Sequence, residues 1–474
     1  MDLEGFAKRK LKEGEKEESI IAEMCSRIIE IKRNRIIKED AEALSKAILE
    51  EAKRTIDLKG KDELGIFTEL NSGVRMGEFG VGSRGLGDFY AHEKIGEIIG
   101  ETGAVVDSSS LSDSGVVRFT DSGTSKAKFV VVTVDGMHSR LSDFPFLAGF
   151  HVARAALRDV YVMGAAPIAL LSDIHVADDG DVAKIFDHIA GISTISDATG
   201  VPLVTGSTLR IGGDVVIGER MTGCVGAVGV AEAVVSREGA KAGDVILMSE
   251  GAGGGTISTA ALYFGEPELV KETLNIKFLN ACNAIIEADL VSRVHVMTDV
   301  TNGGIRGDAN EIAKVAGVNL LFYEDRIRRL VNAHVLEMLE RHGIDYLGVS
   351  LDALLVICPE KSAKEVKKVV NSAGVEIEQI GRVEVKEGRG AEIVVNGEKK
   401  AFVPKFRESA YTPVKKAVGE SVSAGTDFEE MKRKVDKAVD EAIRKRDRVK
   451  EMLTGDGEVI FRNDYKIAEF RHKS

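Results

Sequence analysis

The stretch MTDVTNGGIRGDANEIAKVAGV, residues 297–318, decides the fold of this chain. It begins inside an apolar run, VHVMTDV, which predicts a strand that ends near Asp299. Two adjacent glycines follow this strand. A helix is predicted near residues 308–316. Because glycine lacks a Cβ, a strand-end aspartate beside glycine can point into a cleft without steric hindrance. A strand, a glycine turn and a helix in this order indicate an α/β unit.

Similar strands and helices continue on both sides of this segment. They share short apolar runs that alternate with helical patterns, which is typical of an α/β or α+β protein. The predicted strands on the N-terminal side lie at 129–135, 167–176, 201–206 and 221–235, with helices at 147–163 and 181–199. Around the opening segment, strands are predicted at 245–248, 294–300, 353–359 and 380–385, with a helix at 361–373. We therefore predict an N-terminal domain over 105–236 and a C-terminal α/β domain over 237–400.

The two ends of the chain are richer in charge. Apolar residues recur three and four positions apart in 41–56 and again from 427 to about 452, which predicts amphipathic helices. We predict a helical extension over 1–65, a glycine-rich loop and helix over 66–104, and a helical tail over 401–474. Within the tail, FRESAYTPVKK is interpreted as an ordinary polar connection, although its basic residues could reach an anion.

Composition narrows the possible partners. The chain has 474 residues and a formal net charge of −12, so its overall field does not attract nucleic acid or an anionic membrane. It has no run of about 18 apolar residues, the length that a membrane span needs. The four cysteines lie far apart, which argues against a zinc site or a disulfide framework. We expect a cytoplasmic protein that binds neither nucleic acid nor membrane.

Four aspartates are candidate metal ligands. They lie in short motifs next to turns: Asp113 in SDSGVV, Asp135 in VTVDG, Asp159 in LRDVYVMG and Asp299 in MTDVTNGG. Carboxylate oxygens are the ligands that Mg²⁺ prefers, so aspartates that converge on one cleft would form a magnesium site. Each one taken singly also fits a turn or a cap. His138, three residues after Asp135, is a candidate general acid or base because histidine titrates near neutrality.

Two glycine-rich segments are candidates for phosphate binding. The first holds Gly80, Gly82 and Gly85 in a G-x-G-x-x-G spacing, but no strand precedes it, so a dinucleotide-binding turn is not expected. The second, GAGGG, holds Gly251, Gly253 and Gly254 and opens a predicted helix. Backbone N–H groups in such turns would let an acidic chain hold a polyphosphate. The sequence contains no G-x-x-x-x-G-K-[ST] segment.

A set of motifs resembles one known superfamily. In chain order these are SDSGVV, VTVDGMHS, LRDVYVMGAAPIALLSDI, VPLVTGST, KAGDVILMSEG, MTDVTNGGIRGDANEIAKVAGV, LDALLVICPE and IGRVEV. Their order and spacing over about residues 105–390 resemble the aminoimidazole-ribonucleotide (AIR) synthetase superfamily. This superfamily includes thiamine-monophosphate kinase, selenophosphate synthetase and the hydrogenase-maturation carbamoyl dehydratase.

The resemblance implies an architecture and a ligand. It implies a two-lobed fold in which the sheet of the N-terminal lobe pairs with a second subunit to close a barrel, and a C-terminal α/β lobe, with ATP and Mg²⁺ in the cleft between the lobes. By position, Asp135, Asp159 and Asp299 resemble the family's metal ligands, and Asp113 resembles the aspartate of its early phosphate-and-metal strand. Gly206 and Thr208 resemble part of a glycine turn in the same family.

The chain also departs from the family pattern. Arg158 stands where relatives usually have asparagine, and Ser207 stands where they usually have an acidic residue or histidine. The first glycine loop has no cysteine, so the reactive thiol of selenophosphate synthetases is missing there.

Two functions remain open at this stage. The first is a magnesium-dependent, homodimeric ATP-binding enzyme that phosphorylates an unidentified small molecule or activates an amide or carbonyl oxygen by phosphorylation. The second is a nucleotide-binding regulatory or scaffold protein with reduced catalysis, which Arg158 and Ser207 favour.

Overall fold

The computed structural model describes residues 1–56, 58, 62–82, 85–100, 102–119, 128–301, 303–385, 388–408, 410–422 and 427–454. Its two lobes are each built on one mixed sheet, and helical segments flank them at both ends of the chain. Ser83 and Arg84 of the first glycine loop, Asn302, and the last 20 residues lie outside the described residues.

The N-terminal extension is a three-helix unit. Its helices are α1 (Leu3–Lys12), α2 (Glu17–Lys32) and α3 (Lys38–Ile56). They bury one shared apolar core, which includes Ile217 of the first lobe. Lys32 extends this contact by ion pairs to Asp178 and Asp179. A connecting segment then carries two helices, α4 (Met76–Phe79) and α5 (Leu86–Ile99).

The N-terminal lobe consists of a five-stranded sheet with two helices on one face. Its order is β1-β2-β5-β3-β4, in which only β3 and β4 run parallel. The elements are β1 (Gly115–Phe119), β2 (Lys128–Gly136), α6 (Pro145–Tyr161), β3 (Ala166–Val176), α7 (Ala183–Thr199), β4 (Leu203–Arg210) and β5 (Met221–Ala231). Residues alternate across β3: Leu170, Ile174 and Val176 are buried, whereas Leu171 is exposed. This alternation is expected of a sheet with one covered face.

The opposite face of this sheet is apolar and uncovered in the single chain. Its exposed side chains are Val117, Val132, Val134, Leu171, Leu209 and Val230. They come from all five strands, and the strand register places them on the same side. A contiguous apolar patch of this kind marks an interaction surface.

The C-terminal lobe has a seven-stranded sheet in the order β12-β11-β8-β10-β6-β9-β7. Its strands are β6 (Val245–Ser249), β7 (Val296–Asp299), β8 (Asn319–Tyr323), β9 (Leu354–Cys358), β10 (Ile377–Glu384), β11 (Gly390–Val395) and β12 (Glu398–Ala401). Its helices are α8 (Gly255–Phe264), α9 (Val270–Thr273), α10 (Lys277–Glu287), α11 (Gly304–Ala316), α12 (Glu324–Leu330), α13 (Ala333–Arg341) and α14 (Glu360–Ser372). β6 and β9 are buried on both faces, which explains their uninterrupted apolar sequences.

The turn after β7 depends on its glycines. Gly303 and Gly304 both have positive φ values, +101° and +62°, a backbone region that other residues rarely adopt. A Cβ on Gly304 would also collide with the carbonyl group of Leu347. The opening segment of the sequence therefore forms the predicted strand, turn and helix, and α11 begins directly at the glycine pair.

The tail forms two helices, α15 (Pro413–Val418) and α16 (Phe428–Thr454). Met431 of α16 packs with Phe79 and Phe406, so the tail returns to the segment that carries the first glycine loop. Arg407 adds hydrogen bonds to the carbonyl oxygens of Gly77 and Glu78, at 2.9 and 3.1 Å. The interpretation of FRESAYTPVKK as an ordinary polar connection is wrong, because Phe406, Arg407, Glu408, Tyr411 and Thr412 are buried.

Most other expectations for local structure are confirmed. The predicted helices at 147–163, 181–199 and 361–373 correspond to α6, α7 and α14, with ends shifted by one or two residues. The G-x-G-x-x-G segment follows a helix rather than a strand, as expected. All four cysteines lie in described positions and are free thiols. Within the described residues, no helix is both long and apolar enough to span a bilayer.

The packing of the tail predicts a difference between two methionines of α16. Met431 is 2% exposed and Met452 is 57% exposed. Met431→Ala should lower the free energy of unfolding by about 2 kcal/mol, because it removes a buried side chain and leaves a cavity. Met452→Ala, the matched control, should change it by less than about 0.5 kcal/mol. Urea denaturation measures both, and equal effects would show that α16 is not docked as described.

Candidate functional site between the lobes

A cavity of about 910 Å³ opens between the two lobes. Such a volume suits a nucleotide-sized ligand. Its wall combines the end of β2 and the inner face of α6 with the end of β7 and the start of α8. Residues of α5 and α15 also line it, so the parts of the chain that flank the two lobes contribute to the same cavity.

Arg158 lies at the centre of the acidic side of this cavity. Its guanidinium forms an ion pair with Asp299, and its Nη1 donates to Oδ1 of Asp352 at 2.8 Å. Asp159 and Asp135 are also close, at 3.6 Å from Nε and 4.0 Å from Nη2. The structure therefore gathers three of the four predicted aspartates around one arginine.

A second arginine, Arg154, lies one helical turn earlier on α6 and faces the same way. Its Nη2 lies 2.8 Å from Oδ2 of Asp352. Its Nη1 donates to the carbonyl oxygens of Thr273 and Asn275 at 2.8 and 2.6 Å. Residues four apart on a helix share a face, so the α6 sequence presents both guanidiniums to the C-terminal lobe.

The fourth predicted aspartate, Asp113, belongs to a neighbouring ion cluster. Arg237 contacts Oδ1 of Asp113 at 2.7 Å and Oδ1 of Asp308 at 3.1 Å, and it also pairs with Glu311. The Thr298 hydroxyl donates to the other oxygen of Asp113 at 2.7 Å. Asp113 thus connects the first lobe to β7 and α11 of the second.

Burial and crowding shift the pKa values in these clusters. Burial raises the pKa of Asp159 well above its usual range, and Asp299, Asp135 and Asp113 raise it further, although Arg158 lowers it. Burial likewise raises the pKa of Asp308. The surrounding carboxylates raise the pKa of Arg158, against the effect of its burial, so it stays protonated.

These aspartates offer the hard oxygen donors that suit Mg²⁺. Asp135 and Asp159 keep 35% and 15% of their side chains exposed, toward the cavity that both line. Among the described residues, no three acidic, histidine or cysteine side chains are grouped closely enough to hold a metal by themselves. Mg²⁺ at nucleotide sites commonly takes one or two carboxylates and completes its shell with phosphate oxygens and water, so the donor set fits that kind of site.

The predicted glycines separate into two groups. Gly82 and Gly254 line the cavity, and Gly254 precedes the first residue of α8. Gly80, Gly85, Gly251 and Gly253 are not among the residues that line it. Gly85 and Gly253 serve packing instead, because a Cβ would collide with the Phe406 carbonyl or with Ile257. A bulky residue at 253 would therefore disturb the fold.

Gly206 and Thr208 are not part of the cavity wall in the described chain. Both lie on β4, the edge strand of the first sheet. Gly206 packs against Ser172 of the neighbouring strand β3. A role for them in nucleotide binding remains a prediction.

His138, the candidate general acid or base, is well placed to meet a ligand. It lines the cavity and packs against Gly255 at the start of α8. Burial, together with the charges of Lys415 and Arg158, lowers its pKa to about 4, so the imidazole is neutral at neutral pH. His92 also lines the cavity. His175 does not line it, and its Nε2 lies 2.9 Å from Oδ2 of Asp173.

Several charged or polar residues of the candidate site were not found from the sequence. Asp352, Arg154 and Arg237 were missed because ion pairs between distant segments leave no local pattern. In the structure, Asp352 stands out by its backbone, because its φ of +53° is one that a non-glycine residue rarely adopts. Tyr411 and Lys415 of the tail also line the cavity.

The fold and the site define a two-lobed α/β protein with a charged ligand cleft between its lobes. The chain belongs to the AIR synthase related protein family: the family's N-terminal domain matches residues 111–231 and its C-terminal domain matches residues 241–394. Together these matches cover more than half of the chain.

Known relatives agree with this assignment. The uncharacterized protein MJ1416 of Methanocaldococcus jannaschii is 51% identical over 460 residues, covering 96% of this chain and 98% of that protein. The selenide, water dikinase of Myxococcus xanthus is 30% identical over 227 residues, covering 47% of this chain and 61% of the enzyme. AaThiL, solved in complex with AMPPCP and TMP, has a TM-score of 0.50 and is 20% identical, covering 69% of this chain and 96% of AaThiL. At 20% identity, the likeness to AaThiL shows a shared fold.

The ion cluster predicts a large cost for removing Arg158. Arg158→Met should lower the free energy of unfolding by about 3–5 kcal/mol, because the buried carboxylate of Asp299 loses its nearest cation. Arg293→Met is the matched control, because both side chains of the Arg293–Glu365 ion pair are more than half exposed. This variant should lower the free energy of unfolding by less than about 1 kcal/mol. Urea denaturation of ligand-free protein measures both variants. A loss no greater for Arg158 than for Arg293 would contradict the buried network.

Proposed function

We propose that this protein is an enzyme that binds ATP as its magnesium complex in the cleft between the lobes and transfers the γ-phosphoryl group. The acceptor is either a small molecule or an amide or carbonyl oxygen that phosphorylation activates. The observation that carries the proposal is the convergence of Asp135, Asp159 and Asp299 with the start of α8 on one nucleotide-sized cavity. Membership of the AIR synthase related family, together with one relative named as a dikinase and one solved in complex with AMPPCP, supports it.

The protein's part in such a reaction is to position charged groups. Asp135 and Asp159 would hold Mg²⁺ together with phosphate oxygens, and the bound metal would offset charge on the transferring phosphoryl group. Asp113 and Asp299 could join them only by giving up contacts with Arg237 and Arg158. Phosphoryl transfer requires little covalent chemistry from the protein, so positioning and electrostatics supply most of the catalysis.

Neutral groups complete the site. Gly254 and Gly255 place the start of α8 at the cavity, where the positive end of the helix favours phosphate. The neutral imidazole of His138 can accept a hydrogen bond from an acceptor hydroxyl or amide. Gly82 lies at the wall in a left-handed conformation, with open space where a Cβ would be.

One observation favours the alternative, a nucleotide-binding regulatory or scaffold protein with reduced catalysis. Arg158 already neutralises the aspartates that a metal would use. A positive charge in that position competes with a divalent cation for the same carboxylates. Tight ATP binding without release of ADP, in the presence of Mg²⁺ and small-molecule acceptors, would support this alternative over the enzyme.

Calorimetric titration with ATP tests the proposal. Wild-type protein should bind ATP in the presence of Mg²⁺ and much more weakly in excess EDTA. Gly82→Val should weaken magnesium-ATP binding about tenfold, or about 1.4 kcal/mol, because the side chain would enter the space of a phosphate. Gly73→Val is the matched control: it has a similar positive φ and equally open surroundings, but lies outside the cavity wall.

Both glycine variants should lose a similar amount of stability, about 1–3 kcal/mol, since each places a β-branched residue in a left-handed conformation. Equal ATP affinities for the two variants would move the phosphate site away from Gly82. No binding of ATP by the wild-type protein with Mg²⁺ would refute the proposed function itself.

We also propose that the protein acts as a homodimer through the uncovered face of the first sheet. The exposed valines and leucines on that face support this, because burying them would remove apolar area from water. Val132→Asp should convert the dimer to a monomer in sedimentation experiments at micromolar concentration, since an unpaired carboxylate would be buried at the interface. Val385→Asp, at an exposed position outside that sheet, should leave the dimer unchanged. A monomeric wild-type protein would rule out the assembly.

A further inference from the structure

The cavity has two sides of different charge. On the acidic side, Arg154, Arg158 and Arg237 are each matched by buried carboxylates. Two more cations, Arg140 and Lys415, line the same cavity, and within the described residues neither has an acidic group within ion-pairing distance. We call these two residues the cationic side.

Arg140 is held by an aromatic ring rather than by an acid. It lies just after β2, and its guanidinium carbon is 4.1 Å from the ring centroid of Tyr263. The Tyr263 hydroxyl donates to the Arg140 carbonyl oxygen at 2.9 Å, which fixes the stack. The Nε of Arg140 is buried and has no hydrogen-bond acceptor among the described residues.

Lys415 repeats this arrangement from the tail. Its ammonium lies 4.2 Å from the ring centroid of Tyr411, a buried side chain that also lines the cavity. Its backbone N–H donates to the Thr412 hydroxyl at 3.2 Å, so the start of α15 is capped and the position of Lys415 is defined. Burial lowers the pKa of Lys415 to about 8, although the charge of Asp88 raises it.

The two cations belong to one region of the cavity. Burial raises the pKa of Tyr411, and the nearby charge of Arg140 opposes that shift. Burial and the nearby charge of Lys415 both lower the pKa of His138. His138 in turn packs against Gly255 at the start of α8. Three separate parts of the chain, the turn after β2, the start of α8 and the tail, therefore present positive charge to the same space.

Cations that are partly removed from water without an acidic partner are costly in a ligand-free protein. An anion bound between them would remove that cost and would accept charge-assisted hydrogen bonds from both. We propose that Arg140 and Lys415 form an anion subsite that binds a phosphate group. The guanidinium supplies paired donors and the ammonium a compact charge, a combination suited to phosphate oxygens.

This subsite deepens the proposed function and rests on it for the source of the phosphate. The group could be the terminal phosphate of the nucleotide or a phosphate carried by the acceptor. Lys415 lies beyond residue 394, where the match to the family ends. The subsite therefore depends on a part of the chain outside the two family domains.

Titration with inorganic phosphate, and separately with magnesium-ATP, tests the subsite in the full-length protein. Arg140→Met and Lys415→Met remove the charges while keeping apolar side chains of similar length. Each should weaken phosphate binding at least tenfold. Lys416→Met is the matched control: it changes the next residue of the same helix, does not line the cavity, and should bind phosphate as the wild type does.

The magnesium-ATP titrations identify the source. If both charge variants bind magnesium-ATP within about twofold of wild type, the subsite receives the phosphate of the acceptor. If both lose magnesium-ATP affinity and phosphate competes with the nucleotide, the subsite holds the nucleotide's own phosphate. Phosphate binding without any ATP binding by the wild type would refute the proposed function and leave the subsite intact.

Two results would overturn the subsite. One is phosphate affinity in Arg140→Met and Lys415→Met equal to that of the wild type. The other is a wild-type protein that does not bind phosphate while both variants bind magnesium-ATP normally. Melting temperatures measured alongside should not fall in Lys415→Met, since no acidic side chain of the described residues lies within ion-pairing distance of that cation. An unchanged melting temperature separates loss of binding from loss of fold.

Discussion

The contact on which the rest of the structure depends is the buried pairing of Arg158 with Asp299 and Asp352. Arg158 comes from a helix of the first lobe, and both aspartates come from the second lobe, one at the end of a central strand. Charges buried at this depth are tolerated only when they are matched closely. Their matching therefore fixes how the lobes meet, and a single apolar core that includes residues of both sheets continues around them.

Because charged side chains connect the lobes, the cleft between them is polar. It has an acidic side and a cationic side. Carboxylates and their arginines occupy one side, and Arg140 and Lys415, each stacked on a tyrosine, occupy the other. A ligand that carries both a metal ion and phosphate groups matches this division better than a neutral one, since each part meets the opposite charge.

The sequence was sufficient for local structure and for some of the site. Apolar periodicity located the strands and helices of both lobes, because each buries one face or both against a neighbour. Strand-end motifs located Asp135 and Asp299 at the cavity. Spacing could not show that Arg158 would lie between the aspartates, or that Gly253 would face Ile257 instead of a ligand, since both depend on contacts between segments far apart in the chain. The helix of the tail was predicted correctly, but FRESAYTPVKK was misinterpreted because its burial comes from docking and not from its own composition.

The C-terminal tail contacts both the first glycine loop and the cleft. Arg407 bonds to carbonyl oxygens just before the first glycine loop, and the backbone N–H of Leu86, just after it, donates to the carbonyl of Lys405. Eight residues after Arg407, the same segment places Lys415 in the cavity wall. The glycine loop and the tail cation are thus held by one short piece of chain.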